Sequence, residues 1–223
     1  MLLLSTIIGL NLILPRNIEQ VNYHPSDEII DERIARNNVD YIYNSFQEDK
    51  TLFESYEKIL YIGDSRTVGL RDEISNNHNI EFVCKVGQGL NWFKKQNLKD
   101  KIIDKDTLVL INLGVNDLGN LNKYIDYINE LNVYNNIYFI SVNPVNETTE
   151  RKYGYSIKNS SIEDFNKKMK ENFNYIDTYS YLVENGFSSK DGIHYTRDTY
   201  LKIYNFIENY KDIENDLDKE EYI

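Results

Sequence analysis

The chain has 223 residues, 41% of them hydrophobic and 27% charged, the make-up of a globular protein with room for one well-packed domain. Its net charge of −11 argues against nucleic acid or anionic lipid as a partner, because both are bound by positive side chains that displace counterions. The single cysteine, Cys84, excludes an internal disulfide and a multi-cysteine metal site. Within the apolar run IEFVCKV it is expected to be a small buried hydrophobe rather than a reactive thiol.

In chain order, the first 14 residues, MLLLSTIIGLNLIL, are almost wholly apolar. They are too few to span a bilayer, which takes about 20. No Lys or Arg precedes them and no A-x-A cleavage site follows. Residues 1–15 are read as a leader or anchor, giving a membrane tether and an extracytoplasmic location. The alternative is a segment packed on the body of a cytoplasmic protein. Residues 16–55 are polar and charge-rich, with helical spacing around SDEIIDERIAR and NNVDYIYNSF, and read as a linker or accessory helical arm.

The domain proper is expected over residues 56–212, with an acidic tail at 213–223. ILYI (59–62) is a short buried strand, and TVGLRDEIS continues with helical spacing. IEFVCKV (80–86) is a second strand, followed by helical LNWFKKQ. TLVLINL (107–113), apolar and β-branched, is the clearest strand. LNKYIDYINEL (121–131) sets Tyr124, Ile125, Ile128 and Leu131 on one helical face. NIYFISV (136–142) is a fourth strand, and NPVNETTERKYGYSIKN reads as a long loop. SSIEDFNKKMKENF opens with a capping box, Ser160 to Glu163. NYIDT is a fifth strand, and TRDTYLKIYNFIENY is a closing helix. Alternating strands and helices predict an α/β fold, with a mainly parallel sheet covered on both faces and a ligand site beyond the carboxyl ends of the strands.

Residues with chemical potential fall at those strand ends. The stretch YIGDSRTVG (61–69) halts an apolar run at a glycine and then presents Asp64, Ser65 and Arg66 in succession. A serine there is either a helix cap or a nucleophile exposed at the sheet edge. Of the three histidines, His24 lies in the linker, His78 in a polar turn, and His194 in KDGIHYT, three residues after Asp191. That spacing lets the carboxylate accept from one imidazole nitrogen and frees the other to take a proton. Asn116, in NLGVND, places an amide where it could stabilise an oxyanion. In VGQGLNW, Gly87 and Gly89 both follow a strand, and the third glycine of a dinucleotide fingerprint is replaced by Trp92.

Taken in order, Gly63-Asp64-Ser65, a post-strand glycine, Gly114-Val115-Asn116-Asp117 and Asp191 to His194 resemble the four marker blocks of the SGNH (GDSL-type) hydrolases. The resemblance covers about residues 58–210. It implies a three-layer α/β/α sandwich of flavodoxin-like build, with Ser65 as nucleophile, His194 as base and Asp191 as its orienting acid. The oxyanion hole it implies is formed by the Ser65 and Gly89 backbone N–H groups and the Asn116 side chain. Gly89 is preferred to Gly87 because it abuts the helix start. Asp64 and Asp117 are expected to buttress loops. Arg66 stands where the family has an aliphatic residue, which would put a cation beside the nucleophile.

The expected activity is serine esterase chemistry without cofactor or metal, most consistent with O-acetyl groups on a carbohydrate or cell-wall glycan. Trp92 and Tyr195 would suit such a substrate, although packing is the commoner role of such aromatics. A lipid-directed esterase or lysophospholipase, an acyltransferase, and an inactive glycan-binding domain are the alternatives.

Overall fold

The computed structural model describes residues 50–74, 79–96, 98, 106–132 and 136–211. The leader, nearly all of the linker, the acidic tail, His24 and His78 lie outside these residues. Among the described residues, no helix is long and apolar enough to cross a membrane.

Five strands form a parallel sheet: β1 (Lys58–Gly63), β2 (Ile80–Cys84), β3 (Thr107–Asn112), β4 (Ile137–Ile140) and β5 (Asn174–Ile176). Their spatial order is β2-β1-β3-β4-β5. The chain runs outward from β1 to β2, then crosses back to β3 and onward. The topological switch point therefore lies between β1 and β3, where open α/β sheets place their ligands. Gly63 of β1 pairs with Asn112 of β3, so both strands end at the same level. The segments that follow them leave the sheet side by side.

The helices are α1 (Ser65–Glu73), α2 (Leu90–Lys94), α3 (Leu121–Leu131), α4 (Glu147–Glu150), α5 (Asn159–Lys170), α6 (Thr178–Asn185) and α7 (Arg197–Glu208). Strand alternation sorts the core into two layers. Leu60, Ile62, Val109, Ile111, Ile137 and Phe139 face α2, α3 and α5 through Phe93, Tyr124, Ile128, Ile162, Phe165 and Met169. Ile59, Tyr61, Leu108, Leu110, Tyr138 and Ile140 face α1, α6 and α7 through Leu70, Leu182, Tyr200, Ile203 and Ile207. The central strands read as unbroken apolar runs because both of their faces are covered. Each such Leu, Ile or Phe contributes about 1.5–3 kcal/mol on burial. The result is the expected three-layer α/β/α sandwich.

Several local expectations are corrected. The helix expected from Ser160 begins at Asn159, with no side-chain cap at Lys158, so no Ser160–Glu163 box forms. Asn159 instead ties back to the preceding loop, accepting from Val145 N–H and donating to the Val145 carbonyl, both at 2.8 Å. The long loop 143–159 carries α4 and a 3-10 turn, Arg151–Tyr153. The fifth strand stops at Ile176, because the Asp177 side chain accepts from Ser180 N–H at 3.0 Å and starts α6. Cys84 is only half-buried, on the edge strand β2, with its sulfur 3.7 Å from Arg71 Nη1.

Candidate active site

The turn after β1 is built to present Ser65. Asp64, not Ser65, is the N-cap of α1, its carboxylate accepting from Arg66 N–H at 2.9 Å. The Ser65 hydroxyl is thereby released from capping, and its own N–H sits in the first turn, at the positive end of the helix. Among the described residues, neither Ser65 N–H nor Gly89 N–H donates to a protein acceptor.

His194 Nε2 lies 2.8 Å from Ser65 Oγ, and His194 Nδ1 lies 2.6 Å from Asp191 Oδ2. The other Asp191 oxygen accepts from Ile193 N–H at 2.9 Å and His194 N–H at 2.8 Å. Burial pulls the Asp191 carboxyl upward, but the hydrogen bonds from the His194 ring and from the two backbone N–H groups outweigh it and leave the acid below its usual range. An ionised carboxylate can only accept, so the ring proton sits on Nδ1 and the Nε2 lone pair faces the serine hydroxyl.

The histidine loop is fastened to the loop after β4. Asn146 N–H donates to the Gly192 carbonyl at 2.8 Å, and the Tyr195 hydroxyl donates to the Pro144 carbonyl at 2.5 Å. Gly192 has φ +95°, and a Cβ there would collide with the backbone of Glu150. Only glycine lets the loop lie this close. Tyr195 is fully buried, so it packs beneath the loop and presents no surface to a ligand.

Arg66 also turns inward rather than standing beside the nucleophile. It is 4% exposed, donates from Nη1 to the Asn143 carbonyl at 2.7 Å, and lies over the Tyr195 ring at 5.3 Å. Its charge links the serine turn, the end of β4 and the histidine loop from below. Asp64 is equally buried, and that burial pushes its carboxyl up to about 6, against the opposing pull of the Arg66 charge and N–H.

The loop after β3 grips the loop after β2 at two points. The Asn116 amide donates to the Gln88 carbonyl at 2.7 Å and reaches the second Asp64 oxygen at 3.4 Å. Asp117 accepts from Leu90 N–H at 2.9 Å, capping α2 from 27 residues away, and also from Asn120 Nδ2 and the Tyr124 hydroxyl. Gly89 sits directly against this carboxylate, and a Cβ there would stand 2.5 Å from Asp117 Oδ2. Gly87, at φ +68°, has nothing within 4 Å of such a Cβ. The sequence thus led to Ser65, His194, Asp191, Asn116 and Gly89, which converge at the switch point. Arg66 and Tyr195 form the buried floor, whereas the sequence places Arg66 beside the nucleophile and makes packing the commoner role of Tyr195.

Solved structures share this architecture. A lipase/acylhydrolase from Enterococcus faecalis matches at TM-score 0.57 and 19% identity, over 68% of this chain and 93% of its own. A GDSL-like lipase from Bacteroides thetaiotaomicron matches at TM-score 0.52 and 21% identity, over 74% and 89%. The fold is that of the GDSL-type hydrolases. A variant of an acetyl-xylooligosaccharide esterase from Geobacillus matches at TM-score 0.50 and 16% identity, over 72% of this chain and 98% of its own. No protein-family model and no curated protein matches the sequence. In this chain the serine turn follows β1 and the histidine loop precedes α7.

Proposed function

We propose that the chain is a carboxylic ester hydrolase working through an acyl-enzyme on Ser65, and that its substrate is an O-acetylated carbohydrate. The observation that carries this reading is the relay from Ser65 through His194 to Asp191, at 2.8 and 2.6 Å. His194 Nε2 takes the hydroxyl proton as Ser65 Oγ bonds to the ester carbon. It then returns the proton to the departing alcohol oxygen. Water attacks the acyl-enzyme by the same route in reverse, releasing the acid and free Ser65.

The negative oxygen of each tetrahedral intermediate is held by the Ser65 and Gly89 N–H groups, which have no protein acceptor among the described residues. Asn116 supplies the third donor by exchanging its long contact with Asp64, 3.4 Å, for the oxyanion while keeping its bond to Gln88.

Three features support a small acyl group on a neutral sugar. The net charge of −11 disfavours anionic lipid surfaces. Among the described residues the exposed large hydrophobics are few: Val86, Tyr153, Tyr155 and Val183. A structural relative is an esterase of acetyl-xylooligosaccharides. The test is acetate release from O-acetylated oligosaccharides, alongside p-nitrophenyl acetate hydrolysis, by wild type, Ser65→Ala and His194→Ala. Turnover by wild type alone is expected. Equal rates in all three proteins would end the assignment.

A further inference from the structure

The three oxyanion donors stand on three different loops, and one side chain ties those loops together. Ser65 follows β1, Gly89 follows β2 and Asn116 follows β3. The Asn116 amide donates to the Gln88 carbonyl at 2.7 Å, next to Gly89, and to Asp64 Oδ2 at 3.4 Å, next to Ser65. A side-chain amide has two N–H hydrogens, one for each acceptor.

The two contacts do different things. A bond to Gln88 alone leaves the amide free to pivot about it. The second acceptor, Asp64 Oδ2, stops the pivot and keeps an N–H on the side of the serine turn. At 3.4 Å this contact is long enough to be surrendered to a developing oxyanion.

Asp64 serves in this way only as a carboxylate. Its other oxygen, Oδ1, accepts from Arg66 N–H at 2.9 Å, so an added proton goes to the less engaged Oδ2. There it turns the oxygen into a donor facing the Asn116 N–H₂. Two donors repel, and the amide turns or flips, withdrawing its N–H from the serine turn. An asparagine at position 64 would cap α1 as well and never bring a charge into the interior. The chain instead carries a carboxylate, 2% exposed, that burial disfavours, the pattern of a group that serves a site rather than the fold.

The groups around Asp64 set when it ionises. Burial is the largest influence and pushes the carboxyl up to about 6, and the Asp117 charge, from the loop after β3, pushes the same way. The Arg66 charge and N–H, from α1, and the His194 ring pull it down. Tyr61 on β1, Cys84 on β2, Tyr124 on α3, Tyr195 before α7 and Tyr200 within it also feel its charge. Burial raises all five, so they stay neutral at the pH of an esterase assay.

We propose that Asp64 is a positioning residue of the oxyanion hole: its ionised carboxylate holds the Asn116 amide with an N–H offered to the oxyanion, and its protonation takes that donor away. The proposal rests on the ester-hydrolase reading of Ser65 and adds what orients its third donor.

The experiment measures kcat and KM of the full chain on p-nitrophenyl acetate from about pH 4 to about pH 8, in wild type, Asp64→Asn, Asn116→Ala and the double variant. Thermal melts verify that each folds. Asp64→Asn keeps the cap, since its Oδ1 accepts from Arg66 N–H, and sets an N–H₂ against the Asn116 amide. Its kcat at about pH 8 is expected to fall about 10²-fold with little change in KM. The double variant should be no slower than Asn116→Ala, because both changes remove one donor. The acid limb of kcat/KM should record two protons in wild type, on His194 and Asp64, and one in Asp64→Asn. It should also record one in Asn116→Ala, where Asp64 has nothing left to orient. The proposal is overturned, and the esterase reading stands, if Asp64→Asn keeps kcat within about threefold or if its loss multiplies with that of Asn116→Ala. An acid limb with the same number of protons in wild type and Asn116→Ala overturns it too. Wild type without activity on the ester overturns both readings.

Discussion

His194 Nε2 stands 2.8 Å from Ser65 Oγ across 129 residues of sequence, and the fold's topology is what closes that distance. β1 delivers the serine at the switch point, and the loop before α7 delivers the histidine. Asp191 enters through its own four-residue turn, which gives a direct prediction. In Asp191→Asn the amide can place its N–H₂ against Nδ1, favouring the tautomer with the proton on Nε2. kcat for p-nitrophenyl acetate is expected to fall by about 10⁴-fold with little change in KM.

Gly89 and Asp117 are predicted to be energetically coupled. A Cβ on Gly89 would stand 2.5 Å from the carboxylate that accepts Leu90 N–H. Gly89→Ala pushes the loop and its N–H away from the oxyanion position, so kcat should fall at least about tenfold. Asp117→Ala frees Leu90, Asn120 and Tyr124 from their common acceptor and should lower both kcat and stability, the latter by about 1–3 kcal/mol. The double variant should lose less than the sum, because removing the carboxylate makes room for the methyl. Kinetics and urea unfolding of the four proteins measure this directly.

Asp64 gives a pH prediction with a definite sign. Its carboxyl is raised from 3.8 to about 6 in the folded protein, first by burial. A raised acid binds more protons folded than unfolded, so its favourable contribution is complete below pH ~4 and is lost as pH rises through ~6. The shift corresponds to a loss on the order of 3 kcal/mol. Relative to Asp64→Asn, wild type should therefore lose stability between pH 4 and pH 7, as read by denaturant unfolding at each pH. A constant difference between the two proteins would mean that Asp64 ionises normally.

Tyr195 should act through support alone. Its hydroxyl donates to the Pro144 carbonyl in a fully buried setting. Tyr195→Phe leaves that carbonyl unpaired and should cost about 1–3 kcal/mol of stability. Thermal unfolding checks it.

The layer order and the site were legible in the sequence for a common reason. Buried parallel strands must be continuous apolar runs, and a glycine or polar residue ends each of them, so TLVLINLG and ILYIGDS mark both strand and site. Chemistry was legible where short spacing carried it, as in Asp191 and His194. Contacts between distant segments were not. Nothing local in TERKYGYSIKNSS indicates that Asn159 will bond to Val145 rather than let Ser160 cap the helix. Nor does GDSRT show that Arg66 turns inward onto Asn143 and Tyr195, since both partners arrive from far along the chain. The edge position of β2 likewise left Cys84 half-exposed, because an apolar run does not report whether both sides of a strand are covered.

The most direct measurement is covalent labelling with a fluorophosphonate followed by peptide mass spectrometry. A single phosphonyl group on Ser65 is expected, with labelling slowed by at least about 10³-fold in His194→Ala. Absence of label on wild type, or label on a different residue, would contradict a nucleophile at the end of β1.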